Sequence, residues 1–344
     1  MTTLIDVPRG LAGVAVTTTT IGEVRGDEGY YHYRGQPAVE LARRSTFEDV
    51  WQLVLDDAPA RVDRTLPEVV RPMVDRLDLR SGLSATCGAL GLRPLMDETV
   101  QDRRRDAHRV IALLPTLVAS LHHGTVATPR DDLSHVANYL WMLTGREAAP
   151  DVVRALERYL ILTVDHGFNA STFTARVIAS TGADLGAAVV GGLAALSGPR
   201  HGGSPSRVLD MLDALGETGD VRGWLQAELR AGRRLMGFGH AVYRAPDPRA
   251  ELLREVALSV APARAAVAVE VEREALDLLA GRRLVTNVEL YAAVVLEACG
   301  IPRQWFTATF ACSRIVGWCA HVIEQSQDSK IVRPDAHYVG PMPS

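Results

Sequence analysis

From Gly35 to Gln325 apolar residues recur at three- and four-residue spacing, segment after segment, and strand-like runs do not alternate with helical ones. A chain patterned this way buries its apolar stripes helix against helix, because a parallel sheet needs strands between its helices. The fold class is therefore all-α. The spacing predicts helices near Pro67 to Leu77, Asp97 to His122, Leu133 to Leu143 and Asp151 to Asp165. One long, small-residue-rich helix is expected from Ala170 to Ala195, ending at Ser197-Gly198-Pro199. Others follow around Arg207 to Leu215, Val221 to Ala231, Pro248 to Val260, Pro262 to Leu279, Leu290 to Cys299 and Gln304 to Gln325. Ser45-Thr46-Phe47-Glu48 reads as a capping box that opens a helix through Leu55. Only the N-terminus differs. There β-branched residues alternate between Gly13 and Tyr33 around a Gly26-Asp27-Glu28-Gly29 turn, which predicts a small hairpin. Pro and Gly breaks near residues 198–205 and 300–302 bracket a smaller unit set within a larger one.

Several chemistries are excluded cheaply. Lys330 is the single lysine of 344 residues and lies in a polar segment near the C-terminus. A Schiff-base aldolase, a pyridoxal enzyme or a Walker-A kinase needs a lysine inside its site. Cys87, Cys299, Cys312 and Cys319 form no CxxC pair, and no HExxH or clustered His/Cys spacing points to zinc, so no metal is expected. A net charge of -4 argues against nucleic acid or an anionic membrane as the main partner. The N-terminus shows no basic stretch followed by an apolar run, and Leu185 to Leu196 is too short to span a bilayer. Together with unpaired thiols this leads us to expect a soluble, cytoplasmic protein.

Three histidines sit in decorated settings: His166 in Asp165-His166-Gly167-Phe168-Asn169-Ala170-Ser171-Thr172, His201 in Gly198-Pro199-Arg200-His201-Gly202-Gly203, and His240 in Gly237-Phe238-Gly239-His240-Ala241-Val242-Tyr243-Arg244. A lone histidine is more often structural than catalytic, and one beside a Gly-Pro turn can simply cap carbonyls. Flanking glycines shift that balance, because they let a ligand lie against backbone and ring. Arginines complete the pattern: Arg249 after Asp247-Pro248, Arg314 in an otherwise apolar helix, and Arg333 before Pro334. Each needs an anionic partner if buried, either a nearby acid or a substrate carboxylate gripped bidentately. Three histidines with several arginines suit a small di- or tricarboxylate.

These segments resemble the citrate synthase family. The stretch from Gly237 to Arg249 looks like the family's signature, Gly198-Pro199 with His201-Gly202-Gly203 like its second histidine motif, and Asn169-Ala170-Ser171-Thr172 after His166 like its third. Gly10-Leu11-Ala12-Gly13-Val14, Tyr33-Arg34-Gly35, Arg333-Pro334 and Tyr338-Val339-Gly340-Pro341 also match, in order, over nearly the whole chain. The resemblance implies a two-domain helical fold. Residues 1–202 and 301–344 would form a large domain, and 203–300 a small one closing over the site. It also implies a homodimer, with no permanently bound cofactor and an acyl-CoA, acetyl-CoA in the first instance, as co-substrate. In the family a carboxylate takes a proton from the acyl-CoA methyl group while a histidine hydrogen-bonds the thioester oxygen; Glu289 and His201 match these. His240 would polarise the keto oxygen of oxaloacetate. His166, Arg249, Arg314 and Arg333 would hold its carboxylates, with Arg333 reaching across from the partner subunit. Arg244 is a candidate for contacting CoA.

Three positions depart from the family's pattern. Glu289, in Thr286-Asn287-Val288-Glu289, stands where most of the family has Asp, and its extra methylene moves the carboxylate by about a bond length; a shift of roughly 1 Å can cost on the order of 100-fold in rate. Either the backbone has adjusted around a working base, or citrate synthesis has been lost. Arg200 stands where an apolar residue is usual, and Gly167 where an acid is usual. Rival readings are a 2-methylcitrate synthase using propionyl-CoA, a condensing enzyme for another 2-oxo acid, and a non-catalytic metabolite-binding relative.

Overall fold

A computed structural model describes residues 5–58, 63–199, 201–202, 204–240, 242–282 and 284–342. Arg200 lies outside the described residues. The predicted hairpin is present: β1 (Gly22–Arg25) pairs antiparallel with β2 (Tyr30–Tyr33), Gly22 opposite Tyr33, and a two-residue β3 (Gln36–Pro37) adds to β2. Residues 13–20 do not join it. They are almost all exposed, and alternation without a face to bury carries little strand preference. Tyr31 and Tyr33 point inward and donate their hydroxyls to the carbonyls of Leu162 (3.0 Å) and Ile161 (2.9 Å).

All other regular structure in the described residues is helical: α1 (Ala38–Arg44), α2 (Phe47–Leu55), α3 (Leu79–Ala89), α4 (Val100–His123), α5 (His135–Thr144), α6 (Pro150–Thr163), α7 (Ala170–Ala179), α8 (Leu185–Leu196), α9 (Ser204–Thr218), α10 (Val221–Arg230), α11 (Pro248–Val260), α12 (Pro262–Leu278), α13 (Val288–Ala298) and α14 (Phe306–Gln325), with short 3-10 turns between some of them. The all-α expectation holds.

Three local expectations are corrected. Residues 67–77 contain turns and one 3-10 turn, Arg71–Met73, because Pro67 and Pro72 each remove a backbone donor. The true helix there is α3, capped by Asp78 accepting from the Ser81 amide (2.7 Å); its many small residues hide the periodicity. The single helix expected over 170–195 is two, α7 and α8. Gly182 turns the chain at φ +81°, and Asp184 restarts it by accepting from the Ala187 amide (2.9 Å). The capping box at α2 sits one residue later than read: Thr46 accepts from the Asp49 amide (3.2 Å), and Asp49 accepts from that of Thr46 (2.8 Å).

α14 is the axis of the core, packed by α2, α4, α6, α7 and α8. It is long and apolar enough to cross a membrane, yet 89% of its apolar window is buried inside the protein. Glycine lets its neighbours close in: a Cβ on Gly317 would lie 2.3 Å from the Val164 carbonyl oxygen, and one on Gly192 of α8 3.0 Å from the Trp318 ring. Helices α9 to α13 pack largely on one another, while α11 and α13 also lean on α6. Cys87, Cys299, Cys312 and Cys319 are free and buried. Burial raises every one of these thiols, to about 12 for Cys87 and Cys299.

Candidate active site

The loop between α10 and α11 is built to hold His240 out for chemistry. Gly237 and Gly239 take left-handed angles, φ +85° and +86°, which any other residue would adopt only under strain. The loop then runs beside the entry to α13. The Gly239 amide donates to the Val285 carbonyl (2.8 Å), the Asn287 amide to that of Gly237 (2.9 Å), and the Asn287 side chain to that of Gly239 (2.9 Å). Asn287 also caps α13, accepting from the Glu289 amide (3.0 Å). The segments carrying His240 and Glu289 are thus one stitched unit. Asp247 ties in a third piece: its buried carboxylate accepts from the amides of Arg249 (3.0 Å) and Val288 (3.1 Å).

The same carboxylate grips the Arg249 guanidinium bidentately, Nε to Oδ1 at 2.9 Å and Nη2 to Oδ2 at 2.8 Å. Burial works against that cation, but Asp247 overrides it and raises its pKa. His240 Nδ1 accepts from the amides of Val242 and Tyr243, both at 3.0 Å, so in the neutral ring the proton is on Nε2. Arg249 Nη2 lies 3.1 Å from that nitrogen. Two donors therefore face each other, and neither satisfies the other. An oxygen set to one side, at hydrogen-bond distance from each, accepts from both.

His166 completes this side. Its Nε2 is 2.9 Å from the Tyr243 hydroxyl, and its ring stands edge-on to those of His240 (5.4 Å) and Tyr31 (5.3 Å). Burial, then the charges of Arg249, His240 and Arg314, hold it neutral well below the ordinary histidine range. Burial and Arg249 push His240 down to about 4, against a weaker upward pull from Asp247. Arg314, 2% exposed, donates Nε to the Thr163 carbonyl (2.8 Å) and stacks over Phe310 (4.8 Å). Burial lowers its pKa and the charge of Asp165 raises it. Burial opposes ionisation of Asp165 in turn, but His321 and Arg314 leave it below the usual carboxylate range.

His201 lies at the turn after α8 and reaches back to the start of α7. Its Nε2 sits 2.9 Å from the Ser171 hydroxyl and 3.4 Å from the Ser171 amide, a fixed donor. With Nε2 accepting, the ring proton is on Nδ1. Ser171 is itself anchored, accepting from Trp318 Nε1 (3.1 Å) and lying 2.7 Å from Asn169 Oδ1. Burial and Arg314 push His201 down to about 4. Glu289 and Arg249 both act electrostatically on Tyr159, as does Arg314, so the carboxylate and both buried guanidiniums lie within electrostatic reach of one ring.

Of the residues singled out by sequence, His166, His240 and Arg249 meet directly, Glu289 is joined to the His240 loop through Asn287, and Arg314 stands within electrostatic reach of both His166 and His201. Arg244 braces its own loop, donating to the carbonyls of His240 (3.2 Å) and Tyr243 (3.0 Å). Arg333 is exposed on the C-terminal tail, which touches α7 through the Val332 amide and Ser180 (3.0 Å); it does not enter the site of its own chain. Sequence reasoning missed Tyr243, Asp247 and Ser171 as working parts, although all three lie inside the motifs and Asp247-Pro248 is a helix-start signal. No group of three or more metal-ligating side chains occurs among the described residues.

Residues 10–335 match the family described as citrate synthase, C-terminal domain. A Mycobacterium tuberculosis protein provisionally named citrate synthase 2 is 42% identical, over 97% of this chain and 93% of that one. A 2-methylcitrate synthase from the same species is 32% identical, over 97% and 91%. The fold superposes on citrate synthase from Thermotoga maritima with a TM-score of 0.84 at 35% identity, covering 96% of this chain and 95% of the other. It also superposes on the Thermoplasma acidophilum citrate synthase in ternary complex with carboxymethyl coenzyme A and oxaloacetate, with a TM-score of 0.87 at 25% identity, covering 98% of this chain and 97% of the other.

Proposed function

The chain belongs to the citrate synthase family, and from that premise we propose that it condenses acetyl-CoA with oxaloacetate and hydrolyses the resulting citryl-CoA to citrate and CoA. The observation that carries this reading is the facing pair of donors, His240 Nε2 and Arg249 Nη2, 3.1 Å apart. A 2-oxo acid supplies an acceptor in its keto and carboxylate oxygens. His240 donates to the keto oxygen and makes its carbon electrophilic, while Arg249, Arg314 and His166 hold the carboxylates. A neutral histidine suits the role, since its Nε2–H polarises the keto oxygen and then passes its proton to that oxygen as the new bond makes it an alcohol.

On the acyl-CoA side, Glu289 removes the α-proton and His201 donates from Nδ1 to the thioester oxygen as the enol forms. Attack of the enol carbon on the keto carbon makes the new bond, and hydrolysis of the thioester then renders the sequence irreversible. Closure of a small domain, residues 203–300, over the large one, 1–202 and 301–344, keeps water out until that bond exists. We further propose a cytoplasmic homodimer in which Arg333 reaches the partner's oxo-acid site, as its exposure on the tail allows, and in which Arg244 contacts CoA. The likeness to a 2-methylcitrate synthase supports a second reading, with propionyl-CoA as the acyl donor.

The test is CoA release, read with a thiol reagent, over a matrix of acetyl- and propionyl-CoA against oxaloacetate and other 2-oxo acids. Fastest turnover with acetyl-CoA and oxaloacetate supports the main reading, and faster turnover with propionyl-CoA the second. No release with any pair would leave a metabolite-binding relative.

A further inference from the structure

The N-terminal hairpin carries none of the reacting groups, yet it presses on both histidine loops of the oxo-acid site. At its turn the Gly26 carbonyl accepts from the amides of Arg244 (3.0 Å) and Ala245 (3.3 Å). A Cβ on Gly26 would lie 2.3 Å from the Val242 carbonyl oxygen, and one on Gly29 2.9 Å from that of Pro246. On the strand, Val24 Cγ2 would be 3.2 Å from a Cβ on Gly167, the residue after His166, and a Cβ on Gly22 would be 3.5 Å from Asp165 Oδ2. Burial of apolar surface does not explain the turn contact, since Val242 is 45% exposed and Arg244 and Pro246 are exposed. Backbone lies on backbone here because Gly26 lacks a Cβ, and the Val242 side chain closes on the same spot, its Cγ1 2.9 Å from where a Cβ would be.

We infer that Gly26 is a positioning residue for His240. The hairpin turn fixes segment 242–246, and with it the Val242 and Tyr243 amides that hold the proton of His240 on Nε2, at a set distance from His166 on the other flank of the same hairpin. Val24 also lies against Gly167, whose left-handed φ of +60° itself favours glycine. This inference rests on the proposed role of His240 as the donor to the keto oxygen.

The experiment is Gly26→Ala, with Val24→Ala as a second variant that removes packing without adding atoms. Glu23→Ala, on the exposed face of the same strand, is the control. For Gly26→Ala, kcat/KM for the oxo acid is expected to fall at least tenfold while KM for the acyl-CoA stays within twofold, since the hairpin touches neither His201 nor Glu289 in the contacts described. Val24→Ala is expected to lose about threefold on the same side, and the control nothing. A readout independent of turnover is the 15N-histidine spectrum, in which the Nε2-protonated signature of His240 should be lost in Gly26→Ala while the melting temperature stays near that of the wild type. A folded Gly26→Ala with wild-type kinetics and an unchanged His240 signature overturns the inference. So does a loss shared equally by both substrates and by the control. If Gly26→Ala does not fold, Val24→Ala decides by the same two readouts. If the wild type releases no CoA, the proposed function fails, and the His240 signature alone then decides the positioning role.

Discussion

Glu289 is where the chemistry of single residues can be tested most directly. Its amide is donated to the Asn287 side chain, and Asn287 is stitched to Gly237 and Gly239, so the longer side chain starts from a backbone fixed against the His240 loop. Two outcomes follow. Glu289→Gln keeps the shape and removes the base, and should abolish acyl-CoA α-proton exchange, measured by deuterium loss from labelled acetyl-CoA in the presence of the oxo acid. Glu289→Asp draws the carboxylate back by about a bond length and should cost on the order of 100-fold in kcat. Asp247→Asn leaves Arg249 buried without its counter-charge. It should destabilise the fold by about 3–5 kcal/mol, read by urea denaturation, and should weaken oxo-acid binding in parallel. At this scale most of the site was legible in the sequence, because His166, His201, His240 and Arg249 each sit in a short motif, and for His240 and Arg249 the motif's own neighbours are also the partners. Ser171 and Tyr243 were not, since what marks them is a contact with a residue 30 or 77 positions away, which no local pattern encodes.

Among the elements, legibility followed the size of the side chains. α4, α6 and α11 carry large apolar residues at helical spacing and lie within a few residues of where the sequence puts them. α3 was missed and α7–α8 merged, because Ala, Gly, Ser and Thr leave the period faint and the break at Gly182 is a backbone angle. The small residues matter for packing instead. Gly317 lets α14 lie against the carbonyl of Val164, immediately before Asp165 and His166. Gly317→Ala places a Cβ 2.3 Å from that oxygen and must push helix and loop apart. Overpacking of this kind costs typically about 1–3 kcal/mol. The expected result is a lower melting temperature together with a disproportionate fall in kcat/KM for the oxo acid, because the displaced loop carries His166.

For the molecule as a whole, its histidines set how stability responds to acid. His201 and His240 titrate at about 4, His135 at about 3, and His166 well below the ordinary range, in every case chiefly through burial. Once unfolded, the same rings protonate near pH 6.5. Between about pH 6.5 and 4 the unfolded chain therefore binds more protons than the folded one, so stability must fall as pH falls through that window and level off above it. Urea midpoints at pH 5 and pH 7.5 check the sign; a higher midpoint at pH 5 would contradict it. The buried cysteines let the same folded state be watched piece by piece. Cys87 lies in α3, Cys299 at the end of α13, and Cys312 and Cys319 in α14, all 5% exposed or less. Each thiol can meet a reagent only when its own helix opens. Mass-resolved labelling over time then ranks three helices by opening rate without adding a single probe, and α14, at the centre of the core, should be the last to be trapped.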